Sequence, residues 1–184
     1  MASLKGIKAA APNPRGIPSM FFIESLDQFL ASETPENAIQ QFHDNYSRYK
    51  LLEQRLTTSI NSLNSRIPEI EKNLATIDTL ESKKDEQSSL QVEYQLSDNV
   101  SAAADVDLSN NKVCLWLGAD VMVEYSYEEA KKLLTENLTA AKANLERAIE
   151  DLDFVRSQIT ITEVNTSRVF NYDVRRRREA EATK

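Results

Sequence analysis

The sequence predicts an α+β chain: a long antiparallel α-helical coiled-coil hairpin with a pair of β-hairpins inserted between its helices. Three observations predict it. Gly numbers 3 and Pro 5 in 184 residues, where average usage would give about 13 and about 9, which leaves little material for a loop-rich fold or a glycine-cradled phosphate site. Apolar residues recur at 3-4 spacing over two long stretches, and between those stretches the period drops to two. Charged residues make up 28% and aromatics only 7%, which suits long solvated helices better than a deep globular core.

Residues 1–33 read as an N-terminal extension, mostly flexible, punctuated by Pro12, Pro14 and Pro18. Lys5, Lys8 and Arg15 precede any acid, a faint likeness to a transit peptide, but the prolines break the amphipathic helix such a peptide needs. Within the extension, Phe22, Leu26, Phe29 and Leu30 could share the face of a short helical turn. Thr34-Pro35-Glu36 then supplies a cap, a proline at the first helical position and an acid beside it. The first coiled-coil helix is expected over 34–90. One seam phase is Phe42, Tyr49, Leu56, Leu63, Ile70 and Ile77; the other is Ile39, Tyr46, Glu53, Ile60, Ile67 and Leu74. Pro68 should kink this helix without ending the seam.

The insert spans 91–125. Val92, Tyr94 and Leu96 alternate with polar neighbours, Asp98-Asn99 turns the chain, and 100–106 pairs back. A second hairpin joins 113–117 to 121–125 around Gly118. Its first strand is apolar on both faces, and such strands are normally covered on both sides, so the insert calls for partner strands. Val113, Leu115, Trp116, Leu117, Val121 and Val123 are the candidate assembly residues, with Trp116 on the face opposite Val113, Leu115 and Leu117. Ser126 with Glu128 and Glu129 caps the second helix, expected over 126–176, whose seam runs Leu134, Leu138, Ala141, Leu145, Ala148, Leu152, Val155 and Ile159. Residues 177–184 read as a flexible tail. Each helix of about 50 residues would be about 75 Å long, and equal lengths bring the free ends together at one tip.

The order helix, four strands, helix resembles the α-class subunits of prefoldin. The segments GIPSMFFIESLDQF (16–29), KVCLWLGADVMVEYSYEEA (112–130) and EDLDFVRSQITITEVNTSRVFNYDVRRR (150–177) are similar to the eukaryotic von Hippel-Lindau-binding family within that class. The resemblance covers about residues 16–178. It implies a heterohexamer with one further α-class and four β-class subunits, in which the strands contribute to an oligomeric β-barrel and six coiled coils hang from it. It also implies an ATP-independent co-chaperone that captures unfolded actin and tubulin and delivers them to the cytosolic chaperonin. A von Hippel-Lindau-type protein is a further partner it suggests.

Nothing in the sequence supports catalysis. His43 is the only histidine and Cys114 the only cysteine, so neither a catalytic dyad nor a metal cluster can be assembled from them. No G-x-x-x-x-G-K-[ST] occurs; no cofactor is expected. A formal net charge of −7 argues against nucleic acid, and no apolar run suits a membrane span. One cysteine precludes an intrachain disulfide and fits a reducing, cytoplasmic setting. Acid pairs such as Glu150 with Asp151 read as solubilising faces. Arg175, Arg176, Arg177 and Arg178 read as a helix-end complement, as a candidate chaperonin contact, or as a nuclear-localisation run that would add a nuclear population. The candidate client-binding tip is Phe42, Tyr46 and Tyr49 facing Val169, Phe170 and Tyr172, since exposed aromatics at a free end make sense as a binding surface. The rival reading is a structural coiled-coil tether or adaptor that docks through its β insert.

Overall fold

The computed structural model describes residues 7–8, 13–84 and 88–182. Its principal elements are two long helices, α2 (Pro35–Lys84) and α3 (Tyr127–Ala182), with the strands β3 (Ser89–Ser97), β4 (Val100–Asp107), β5 (Lys112–Gly118) and β6 (Val121–Ser126) between them. Before α2 come β1 (Ile7–Lys8), β2 (Phe22–Ile23) and the single-turn α1 (Leu26–Phe29). The architecture is the coiled-coil hairpin with inserted β-hairpins that the periodicity predicts. The chain divides into two compact units, Met1–Asn61 with Glu146–Lys184, and Ser62–Leu145.

In the Ser62–Leu145 unit the end of α2 packs antiparallel against the start of α3. Ile77, Tyr127, Ala130 and Leu134 are buried, and Ile70, Leu74, Leu80, Val113, Leu115 and Tyr125 close around them. Ion pairs from Lys131 to Asp78 and from Lys142 to Glu71 join the flanks of the two helices. α2 continues through Pro68 as one helix. The start of α3 is set locally: Ser126 Oγ accepts from the Glu129 N–H while Glu129 accepts from the Ser126 N–H at 3.2 Å, a reciprocal cap. The hydroxyl of Ser126 also donates to the Glu129 carboxylate, and these bonds hold that carboxyl below its ordinary pKa.

The strands form separate two-stranded ribbons, β3 with β4 and β5 with β6, both antiparallel. β5 turns into β6 through Ala119 and Asp120, both with positive φ (50° and 57°), the backbone of a two-residue hairpin turn. A register slip between Trp116 and Gly118 precedes that turn.

In the other unit the start of α2 packs against the end of α3, and residues 13–34 lie on both. Met20, Ile23, Phe29, Ala38, Phe42, Tyr49, Val155, Ile159 and Val169 make one buried cluster. This corrects the expectation of a mostly flexible 1–33 extension for residues 13–33: Met20 and Ile23 are core residues, and the segment has polar anchors. β1 pairs with β2, Ile7 opposite Ile23. α3 also runs on to Ala182, beyond the expected end at 176; its REAEA end consists of good helix formers, and Arg177 pairs with Asp173 four residues back. The rest of the expected N-terminal tail (1–6, 9–12), residues 85–87 of the stretch expected to close the first helix, and 183–184 lie outside the described residues.

Candidate functional site

Asn13-Pro14-Arg15-Gly16 has the residues a β-turn wants at each position. The Gly16 N–H donates to the Asn13 carbonyl at 3.1 Å, and the Arg15 N–H donates to Asn13 Oδ1 at 2.6 Å. Gly16 takes a φ of 79°, which glycine adopts without strain. The turn aims Arg15 at α3, where its guanidinium donates to Asp151 at 2.7 Å and Glu150 at 2.8 Å. Asn13 Nδ2 also donates to Asp151, at 3.1 Å. The bond to Asp151, then that to Glu150, raises the Arg15 pKa further.

From this anchor the arm runs along α3 and is held mostly by its main chain. The Met20 N–H donates to Gln158 Oε1 at 2.8 Å. Asn165 accepts from the Ile23 N–H at 3.2 Å and donates to the Phe21 carbonyl at 2.7 Å. Arg168 donates to the carbonyls of Ile23 and Glu24, and its guanidinium lies 5.0 Å over the Phe22 ring. The Tyr49 hydroxyl on α2 donates to the Pro18 carbonyl at 2.9 Å, and that of Tyr172 to the Asp27 carboxylate at 2.8 Å. Asp151, Gln158, Asn165 and Tyr172 stand seven residues apart on α3, so they form one stripe along the helix. Asp151, Gln158 and Asn165 are buried, and buried polar groups of this kind need partners; the arm supplies them.

The apolar side of the arm closes over the coil end. Phe21, Phe29 and Phe42 form an aromatic trio with ring centroids 5.9–6.2 Å apart. The client-binding tip expected from the sequence is therefore only partly available. Phe42, Tyr49 and Val169 are 1%, 4% and 0% exposed; they are core residues under the arm, because the extension that was expected to be flexible covers them. Tyr46 is half-buried, with Lys50 Nζ 5.7 Å from its ring centre. Tyr172 is half-buried, while Phe170 is 57% exposed. An open depression of about 390 Å³, lined in part by Ile39, His43, Tyr46 and Thr166, lies on this unit, and a neighbouring one reaches Phe170. In the basic run, Arg177 pairs with Glu36 and Asp173 at 2.7 Å and Arg176 with Asp173 at 3.7 Å, while Arg175 and Arg178 are exposed.

The hairpins of the Ser62–Leu145 unit carry a second candidate surface. Val113 and Leu115 point at the helices of their own unit, and Val123 is half-buried; the strand period puts these alternate residues on the inner face. For Val113 and Leu115 the contact made is thus with their own chain. Trp116, Leu117, Val121 and Met122 are exposed. Leu117 was expected opposite Trp116, yet the register slip leaves both in the open. Tyr94, Leu96 and Val100 are exposed at the turn end of β3 and β4. Among the described residues no group of three or more His, Cys, Asp or Glu could hold a metal ion, and no helix is long and apolar enough to cross a membrane.

The sequence reading missed the polar stripe of Asp151, Gln158 and Asn165. Its signal was there: polar residues at strict heptad intervals on a helix whose other seam is apolar.

Comparison with known proteins gives one answer. The family model described as "Prefoldin subunit" matches residues 49–172. The chain is 40% identical to prefoldin subunit 3 of Mus musculus, over 97% of this chain and 94% of that one. It is 41% identical to prefoldin subunit 3 of Homo sapiens, over 92% and 87%. Probable prefoldin subunit 3 of Schizosaccharomyces pombe is 40% identical over 90% of this chain and 95% of its own. Among solved structures, the filamentous PFD from Methanocaldococcus jannaschii, determined by cryo-EM, aligns with a TM-score of 0.53 at 17% identity, covering 67% of this chain and 98% of that one; this likeness concerns the fold.

Proposed function

The chain belongs to the prefoldin subunit family, a family of chaperone subunits rather than enzymes, and on that premise we propose that it works inside an ATP-independent heterohexamer with one further α-class and four β-class subunits. The observation that carries the proposal is the apolar exposure of its hairpins. Trp116, Leu117, Val121, Met122, Tyr94, Leu96 and Val100 stand open on two-stranded ribbons with unpaired edges, and such ribbons need further strands for stability. In the proposed hexamer those strands come from neighbouring subunits and close a β-barrel.

The clients are unfolded chains of the actin and tubulin type, taken up at the ends of the coiled coils and passed to the cytosolic chaperonin. Weak apolar contacts suffice, because several coils acting on one unfolded chain raise the effective concentration of each contact. Phe170 is the more exposed of two open aromatics at this coil end, Phe22 being the other, and Arg175 and Arg178, exposed on α3, are the residues proposed to meet the chaperonin. The proposed compartment is the cytoplasm, with a nuclear fraction. The tether reading fares worse: a tether has no need of a return helix matching the first, and α2 and α3 span 50 and 56 residues.

The test is aggregation of chemically denatured actin, followed by light scattering, in the presence of the hexamer reconstituted from all its subunits. Suppression should be equal with ATP, without nucleotide and in chelator. Loss of suppression without nucleotide or metal, or none under any condition, overturns the proposal.

A further inference from the structure

Between Pro18 and Glu24 the arm's hydrogen bonds to the coil do not depend on the identity of its side chains. They come from backbone alone, the N–H groups of Met20 and Ile23 and the carbonyls of Pro18, Phe21, Ile23 and Glu24, with the Phe22 ring under Arg168 beside them. Gln158, Asn165, Arg168 and Tyr49 supply the complementary donors and acceptors. Every peptide carries those backbone groups. The remaining requirement is apolar: side chains such as Met20, Phe21, Ile23 and Phe29 that close on Phe42, Val155 and Val169. The arm also lies outside residues 49–172, the part matched by the family model, whereas Gln158, Asn165 and Arg168 lie within it.

From this geometry we infer that the groove between α2 and α3 under residues 17–30 is a main-chain-reading site for extended apolar peptide, that the N-terminal arm is its resident occupant, and that an unfolded client segment enters by displacing the arm. This deepens the chaperone reading and rests on it. The groove offers what an unfolded chain brings, a bare backbone with apolar residues every few positions, and it asks for no particular side-chain order. The arm keeps Phe42, Tyr49 and Val169 covered until such a segment arrives. Covered apolar residues do not promote self-association, and a competing occupant lowers apparent affinity by the fraction of time the site is free.

The experiment uses the complete hexamer with either the full-length subunit or one lacking residues 1–31. The probe is a fluorescein-labelled synthetic peptide of residues 16–31, alongside a scrambled peptide of the same composition and a charged, apolar-poor peptide of equal length. An arm docked about nine-tenths of the time predicts about tenfold tighter binding of the 16–31 peptide to the armless hexamer. The scrambled peptide should bind the armless hexamer within about threefold of it, less than the tenfold that 1.4 kcal/mol would produce, and the charged peptide should not bind. Asn165→Leu combined with Gln158→Leu in the armless subunit should remove the gain. Equal peptide binding with and without the arm, or a gain insensitive to Asn165→Leu and Gln158→Leu, overturns the inference. Should deletion cost helical circular dichroism, Asn13→Ala with Arg15→Ala frees only the arm's anchor and must shift peptide affinity in the same direction; no shift overturns the inference as well. Actin protection by the unaltered hexamer is measured in parallel. Its absence defeats the chaperone reading itself, whereas protection without any arm-dependent peptide binding defeats this inference alone.

Discussion

Asn165 carries both ends of its amide into the interior, accepting from Ile23 and donating to Phe21, and none of it meets solvent. Replacing it with Leu keeps the branched outline of the side chain but strands a backbone N–H and a carbonyl of the arm, at about 1–3 kcal/mol. Hydrogen exchange at residues 20–24 should accelerate by about tenfold for each 1.4 kcal/mol lost, while exchange within β3–β6 stays unchanged. Unaltered exchange over the arm would show that Asn165 does not hold it. Two phenols make the same attachment depend on pH. Burial raises the Tyr49 pKa, and the bond to Asp27 raises that of Tyr172. For an acid whose folded pKa lies above its unfolded value near 10, the neutral form is favoured by folding; its contribution is complete below 10 and is lost as pH rises through the folded value. The arm should therefore loosen above pH 10, in step with tyrosinate absorbance, and Tyr49→Phe with Tyr172→Phe should abolish that alkaline step. These residues were hard to read in sequence because their partners are distant: Asn165 meets Phe21 across 144 positions, and no local rule connects them.

At the scale of elements, what was local was legible. Thr34-Pro35 and Ser126 with Glu129 announce the starts of α2 and α3, and both caps form as their spacing implies, with Thr34 Oγ1 accepting from the Asn37 N–H and Ser126 from Glu129. The seam residues of both phases are buried or half-buried, since a heptad pattern specifies which face of a helix is covered. The pattern cannot say whether the cover comes from the partner helix alone or from a third segment, and so Phe42, Tyr49 and Val169 were read as a surface. The hairpins were legible from period two, but the slip at Trp116–Gly118 was not, because a bulge changes pairing without changing composition. The turn after it holds an Ala in left-handed backbone, at φ 50°. That conformation costs a non-glycine residue about 1–2 kcal/mol, part of which Gly returns through its freer unfolded chain. Ala119→Gly should stabilise the β5–β6 hairpin by about 0.5–1 kcal/mol, seen as slower amide exchange across the Leu115–Val123 pair; faster exchange there would contradict the turn assignment.

For the molecule as a whole, the division of its apolar surface decides how it must live. One unit buries Phe29, Phe42 and Tyr49 with its own arm, whereas the other leaves Trp116, Leu117, Val121 and Met122 open at one ribbon end and Tyr94, Leu96 and Val100 at the other. Alone, such a chain should self-associate through unpaired strand edges; sedimentation of the isolated subunit should show aggregates or oligomers, and a monodisperse monomer would speak against the assembly role. With its proposed partners, the same surface becomes an interface, and Trp116 is its largest exposed side chain, 60% open. Trp116→Asp removes that apolar area and forces a carboxylate toward a surface that must dry on association, a cost of several kcal/mol when no partner charge meets it. At about 1.4 kcal/mol per factor of ten, hexamer affinity should fall about a hundredfold or more, with helical circular dichroism nearly intact because Trp116 takes no part in either buried cluster. Native mass spectrometry of coexpressed subunits reads the result directly. Leu51→Asp is the matched control: Leu51 is 49% exposed, apolar, and on α2 rather than on a hairpin, so its hexamer yield should equal that of the unaltered chain. A normal yield from Trp116→Asp, or an equal loss from Leu51→Asp, would remove assembly from the hairpin ends, since the first would show the indole is not enclosed and the second that any added charge destabilises the complex.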